Sequence, residues 1–140
     1  MSIINVEPFG EFVFDEQSGY EGTIEFQGEV VDVHFCEEDE IEILRFIGKD
    51  LNNFIEQATR FAVQELLDYV NWWEEEHWKG EGEYIPMTGD DFVKKISLSE
   101  IDIEDMDGFE YVLWFYYCGG EPLVGVTGNI ESGFEGASFD

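Results

Sequence analysis

The stretch Asp50–Trp78, DLNNFIEQATRFAVQELLDYVNWWEEEHW, decides the fold. Its apolar residues Leu51, Phe54, Ile55, Ala58, Phe61, Ala62, Leu66, Tyr69, Val70 and Trp73 recur three and four apart. That is the period of a helix with one buried stripe. Asn52, Glu56, Arg60, Gln64, Asp68 and Glu75 fall on the opposite face. The flanking segments read as short strands, and this helix supplies the surface they lie on.

Toward the N-terminus, Ile41, Leu44 and Ile47 continue the stripe behind an acidic run, Glu37–Glu40, that complements a helix dipole. An unbroken helix over 39–76 would be roughly 57 Å long at ~1.5 Å per residue. It would overhang a domain whose radius of gyration is about 14 Å. A break is therefore expected near Gly48.

Phe9–Asp15, Tyr20–Phe26 and Val30–Cys36 each alternate apolar and polar residues between Gly-centred turns. They predict a three-stranded antiparallel meander. After the helix, Lys79–Pro86 reads as a loop. Thr88 reads as the N-cap of a short helix with acids in its first turn. Leu98–Ile103, Phe109–Cys118 and Leu123–Ile130 read as strands, with a turn at Asp105–Gly108 and a tail, SGFEGASFD, that is an edge strand or a loop. The expected fold class is α+β, a single domain over 1–140. Its antiparallel sheet has five to six strands (the N-terminal three-stranded meander and two to three C-terminal strands). The sheet packs on a long, kinked central helix and one short helix.

Charge is the strongest functional signal. Six Lys and Arg against 34 Asp and Glu leave a net charge of −28. Nucleic acid and anionic membranes are excluded as partners, because both need cationic side chains. A basic protein or cations are favoured. Hydrophobic residues at 44 % and aromatics at 16 % set the chain apart from a disordered acidic tail. The start, MSIINVEPFG, lacks the basic and apolar regions of a signal peptide, and the run Tyr111–Cys118 is too short to span a bilayer. These features predict a cytoplasmic protein whose two cysteines, Cys36 and Cys118, are reduced, small buried hydrophobes.

Candidates for chemistry are few. His34, Cys36, His77 and Cys118 fit no known zinc-ligand spacing. An EF-hand centred on Gly108 fails, because Ile103 and Trp114 fall where oxygen ligands are needed. Ser132 and Ser138 lack a nucleophile-elbow context, and no glycine cluster forms a P-loop or dinucleotide fingerprint. No catalytic residue, metal or cofactor is expected.

Trp72 and Trp78 fall off the buried stripe beside Glu74, Glu75 and Glu76. Aromatic anchors rimmed by charge suit a surface that docks a basic partner. The candidate partner-binding residues are these five together with Glu37, Glu38, Asp39, Glu40, Asp102, Glu104, Asp105 and Asp107.

The opening FGEFVFDEQSGYEGTIEFQGEVVDVHF, the helix end ELLDYVNWW, the segment TGDDFVKKISLSEIDI and the closing LVGVTGNIESGFEGASFD resemble a group of small bacterial domains of unknown function. Relatives of that group are similar to suspected immunity proteins found beside polymorphic toxins. The resemblance implies a non-catalytic, immunity-type inhibitor that binds and blocks a basic protein, such as a toxin encoded nearby. The alternatives are a nucleic-acid mimic that inhibits a DNA- or RNA-binding protein, or a small enzyme of unknown reaction.

Overall fold

The computed structural model describes residues 2–106 and 109–140, with backbone alone at 105 and 106. Four strands come first: β1 (Ile3–Val6), β2 (Gly10–Asp15), β3 (Gly19–Phe26) and β4 (Glu29–Phe35). A helical crossover follows, made of a 3₁₀ turn at Glu38–Glu40, α1 (Ile41–Gly48), α2 (Leu51–Glu76) and α3 (Gly89–Lys95). Four more strands complete the chain: β5 (Ile96–Met106), β6 (Phe109–Tyr117), β7 (Pro122–Asn129) and β8 (Gly133–Phe139).

All eight strands form one sheet in sequence order. Neighbours are antiparallel except β4 and β5, which pair in parallel from Asp32–Glu100 to Phe35–Ile103. The crossover makes that exception possible, since parallel neighbours need a long connection. The class is α+β as expected, but the sheet has eight strands and not five to six. The N-terminal meander has four strands because Ile3–Val6 adds an edge on β2. The C-terminal half also has four, because the Gly-rich tail pairs with β7 from Val124–Phe139 to Asn129–Gly133.

The expected break in the helix is present, and its cause is visible. α1 ends on Gly48, and Asp50 caps α2 by accepting from the Asn53 amide at 3.4 Å. A Cβ on Gly48 would stand 2.5 Å from Pro8 Cδ and 2.7 Å from Phe9 Cε2. The break lets α1 pack beside the β1–β2 turn while α2 lies over β6–β8. There Phe54 packs edge-on to Tyr111, its ring centroid 5.4 Å away, and Trp73 packs on Phe139 at 5.5 Å. α3 begins in a capping box: Thr88 Oγ1 accepts from the Asp91 amide, and Asp91 Oδ2 accepts from the Thr88 amide.

One face of the sheet meets these helices. Val33, Ile101, Leu113 and Val126 form a cross-strand row on it, each at most 1 % exposed. The cysteines depart from expectation. Both are exposed, because each sits one residue past the end of its strand, Cys36 after β4 and Cys118 after β6. Phe35 pairs with Ile103 and Tyr117 with Ile96, so the two thiols sit at opposite ends of β5, roughly 23 Å apart along the strand.

Candidate functional site

Strand pleating sends alternate residues to the other face, which no helix covers. Two cross-strand rows show what lies there. Glu21, His34, Asp102, Val112 and Thr127 make one; Thr23, Asp32, Glu100, Trp114, Gly125 and Ser138 make the next. Glu11, Glu21, Asp32 and Glu100 line a groove of about 970 Å³ here, with Val13, Thr23 and His34. The chain's cations are absent from this surface. Arg45, Lys49, Arg60, Lys79, Lys94 and Lys95 all belong to the crossover, and no strand contains Lys or Arg.

Among the described residues, His34 is the one basic side chain on the open face. Its Nδ1 lies 2.9 Å from Asp102 Oδ1, and its Nε2 donates to the Ser18 carbonyl oxygen. Both partners are acceptors, and a neutral imidazole carries only one N–H. The geometry therefore calls for the imidazolium. Partial burial works against the charged ring, but the bonds to Asp102 and Ser18 and the charges of Asp102 and Glu21 win, so the pKa is raised. Glu100 is also raised, first by burial and then by the carboxylates of Asp102 and Asp32, with His34 pulling the other way. Four carboxylates, Glu21, Asp32, Glu100 and Asp102, thus crowd around one cation. Trp114 flanks Glu100, its ring so close over Gly125 that a Cβ there would stand 2.9 Å from Cζ3.

The sequence-selected residues fall into two groups. Glu37–Glu40 follow β4, and Asp102 and Glu104 stand on the neighbouring β5. The two sets meet around Cys36, where burial first, then the charges of Glu40, Asp102, Glu104 and Glu37, raise the thiol pKa. Glu40 is only 7 % exposed; its Oε1 accepts from the amides of Cys36 at 2.8 Å and Glu37 at 2.9 Å, so it shapes the turn. Glu38 accepts from the Tyr20 hydroxyl at 3.3 Å, while Asp39 is exposed. The turn expected at Asp105–Gly108 begins later, because Asp105 and Met106 still contribute their backbone to β5 and Met106 pairs with Phe109, while Asp107 and Gly108 lie outside the described residues.

The second group lies at the other end. Glu74 accepts from the Tyr117 hydroxyl at 2.8 Å, and Tyr117 pairs with Ile96, roughly 20 Å along β5 from Asp102. Trp72 is 55 % and Trp78 45 % exposed, and Glu75 and Glu76 are exposed beside them. Trp78 packs edge-on to Tyr84 and donates to the Gly82 carbonyl, which ties it to the loop after α2.

Sequence reasoning missed Glu11, Glu21, Asp32, His34, Glu100 and Trp114 as a group. The alternation within each strand does place them on one face. What joins them is the parallel β4–β5 register, which no local signal encodes.

A second cleft, of about 610 Å³, opens between α2, α3 and the β3–β4 turn over Phe26, Ile55 and Phe115. Its ion pair, Arg60 with Glu56 at 2.7 Å, is an exposed i,i+4 contact of little energetic weight. Among the described residues no group of three or more His, Cys, Asp or Glu is placed to hold a metal ion, and no helix is long and apolar enough to cross a membrane.

No curated protein and no solved structure matches the chain. A family model does, over residues 6–137. That span takes in every complete strand from β2 to β7, the whole crossover and nearly all of β8, so the chain belongs to the bacterial family described as "Uncharacterized protein conserved in bacteria (DUF2262)".

Proposed function

We propose that this protein is a non-catalytic interaction module that captures a basic protein partner on the open face of its sheet. The observation that carries this reading is the segregation of charge: all six Lys and Arg lie in the crossover, while the groove is lined by Glu11, Glu21, Asp32 and Glu100. A concave surface on which carboxylates outnumber the one imidazolium of His34 focuses a negative field and speeds encounter with a cationic partner. Val13 and the half-buried Trp114 add apolar contact beside the acids. The finer form of the proposal is an immunity-type inhibitor that covers the cationic site of a toxin encoded nearby.

Two features favour this over the alternatives. Carboxylates also stand on the helical side, at Glu56, Glu65 and Asp68, which suits a generally acidic binder better than a mimic with two ordered phosphate-like rows. His34 has both ring nitrogens engaged, leaving no lone pair for general-base work in this geometry.

The test is capture of partners encoded beside the gene. It compares the wild type with a groove reversal (Glu21→Lys, Asp32→Lys, Glu100→Lys) and a helix-end reversal (Glu75→Lys, Glu76→Lys). The expected result is a salt-sensitive complex whose association rate drops at least ~10-fold in the groove variant and little in the other. A complex that survives groove reversal, or forms equally fast at low and high salt, would sink the proposal.

A further inference from the structure

β8 is the last strand of the sheet and pairs with β7 alone, so its other edge is open. The register shows which backbone groups face that edge. The Asp140 amide donates to the Leu123 carbonyl oxygen at 2.9 Å, which turns Asp140 toward β7. Direction alternates along an antiparallel strand, so Ser138 and Gly136 also face β7, while Ala137 and Phe139 face away from it. Their N–H and carbonyl groups point outward, and no group among the described residues bonds to them. Edge strands are commonly protected by Lys or Pro, and β8, GFEGASF, has neither. Its one irregularity, a register shift at Glu135, confines the regular edge to 136–140.

Beside this edge, on the helical side, α2 carries an exposed aromatic pair. Tyr69 is 48 % and Trp72 55 % exposed, and their ring centroids lie 5.8 Å apart. Tyr69 stands edge-on to Phe139 at 6.2 Å, which sets the pair against β8. Glu65 and Asp68, both exposed, precede Tyr69 and Trp72 by four residues and so share their stripe. No Lys or Arg occurs on β8, or in α2 after Arg60. Outward backbone groups, two aromatic faces and carboxylates without a cation therefore lie together.

We propose that β8 takes an extended, arginine-bearing segment of a partner protein as an antiparallel ninth strand. The backbone of that segment pairs with Ala137 and Phe139. Both side chains lie on the helical face, opposite the buried Val126 and Val124. The residues that bond to them point their side chains to the same face, and these are the arginines, which reach Tyr69, Trp72, Glu65 and Asp68. Edge addition draws affinity from main-chain hydrogen bonds and specificity from every second side chain. A guanidinium stacks on an aromatic face and pairs with a carboxylate, so it suits both surfaces. A second copy of this chain is the poorer occupant, since each copy carries −28 and brings the same acids to the joint. The site does not rest on the open-face reading.

The probe is a labelled seven-residue peptide alternating arginine and threonine, titrated with the full chain by fluorescence polarisation at about 0.15 M salt. We expect saturable binding. Methylating the arginine amides, which face β8, should weaken it at least ~10-fold, and methylating the threonine amides should change it little. Lysine in place of arginine should cost about three- to tenfold, as should Trp72→Ala or the pair Glu65→Gln and Asp68→Asn, all at exposed positions. The groove reversal (Glu21→Lys, Asp32→Lys, Glu100→Lys) should leave affinity within about twofold, because the salt screens distant charge. The proposal is overturned if binding does not saturate, if both methylated peptides bind alike, if Trp72→Ala has no effect, or if groove reversal abolishes binding. Dimers in sedimentation that Trp72→Ala dissolves would also overturn it, by giving the edge to a second copy.

Discussion

Replacing Asp102 with Asn keeps the shape of the side chain and removes the charge that holds His34. The pair lies at 2.9 Å with both side chains 24 % exposed, so it is partly shielded from water. A hydrogen bond between charged groups contributes about 1.5–3 kcal/mol, and partial exposure places this one near the lower figure. The His34 pKa is raised in the folded protein, against partial burial, by its bonds to Asp102 and Ser18 and by nearby acids. The sign follows from linkage. The stabilisation is fully present below the unfolded histidine value of about 6.5 and is lost as pH rises through the raised folded value. Asp102 also repels Glu100. Once His34 is neutral, removing Asp102 relieves that repulsion at little cost. Asp102→Asn should therefore lower stability by about 1.5 kcal/mol at pH 5.5, a drop in melting temperature of about 5 °C for a chain of this size. At pH 8.5 the deficit should shrink toward zero or change sign. Thermal melts of both proteins at the two pH values decide it, because the titration of all other groups largely cancels between them. A deficit that is equal at both pH values, or larger at pH 8.5, would refute the ion-pair account.

Two further outcomes test the packing and the chemistry of the exposed thiol. Gly48→Ala gains about 1 kcal/mol of helix propensity, but its Cβ would stand 2.5 Å from Pro8 Cδ, and overpacking of that kind costs about 1–3 kcal/mol. The net effect should be a loss of about 1 kcal/mol in urea unfolding, and a gain in stability would show that the β1–β2 turn yields freely. In a Cys118→Ser background, Cys36 should react with iodoacetamide at pH 8 more slowly than an unstructured cysteine peptide, because burial and the charges of Glu40, Asp102, Glu104 and Glu37 disfavour its thiolate. Equal or faster alkylation would show that these carboxylates do not act on the sulfur.

The sequence by itself determined the elements whose bonds are local. The stripe from Leu51 to Trp73 marks α2, Thr88 and Asp91 mark the start of α3, and Gly48 marks the break between α1 and α2. The stripe and the capping box rest on hydrogen bonds or contacts a few residues apart, so the pattern that encodes them lies within one window of sequence. The Asp50 cap after Gly48 is local too, although the close approach of Pro8 and Phe9 to Gly48 is not. The alternation in Phe12–Phe14, Tyr20–Phe26 and Val31–Phe35 was legible for the same reason, and so was the excess of acid. Tertiary structure alone decided what pairing controls. β1, IINV, has a strand's composition but is only four residues long, and β8 reads GFEGASF, whose glycines and small residues do not announce a strand. They are strands because β2 and β7 offer unpaired edges. The parallel joint between β4 and β5 brings His34 to Asp102 across 68 positions of sequence, and the same register places Asp32 beside Glu100. Strand pairing satisfies backbone groups between distant segments, so its register is set by which faces can be buried together. The helices claim one face of the sheet, and the acids are left together on the other.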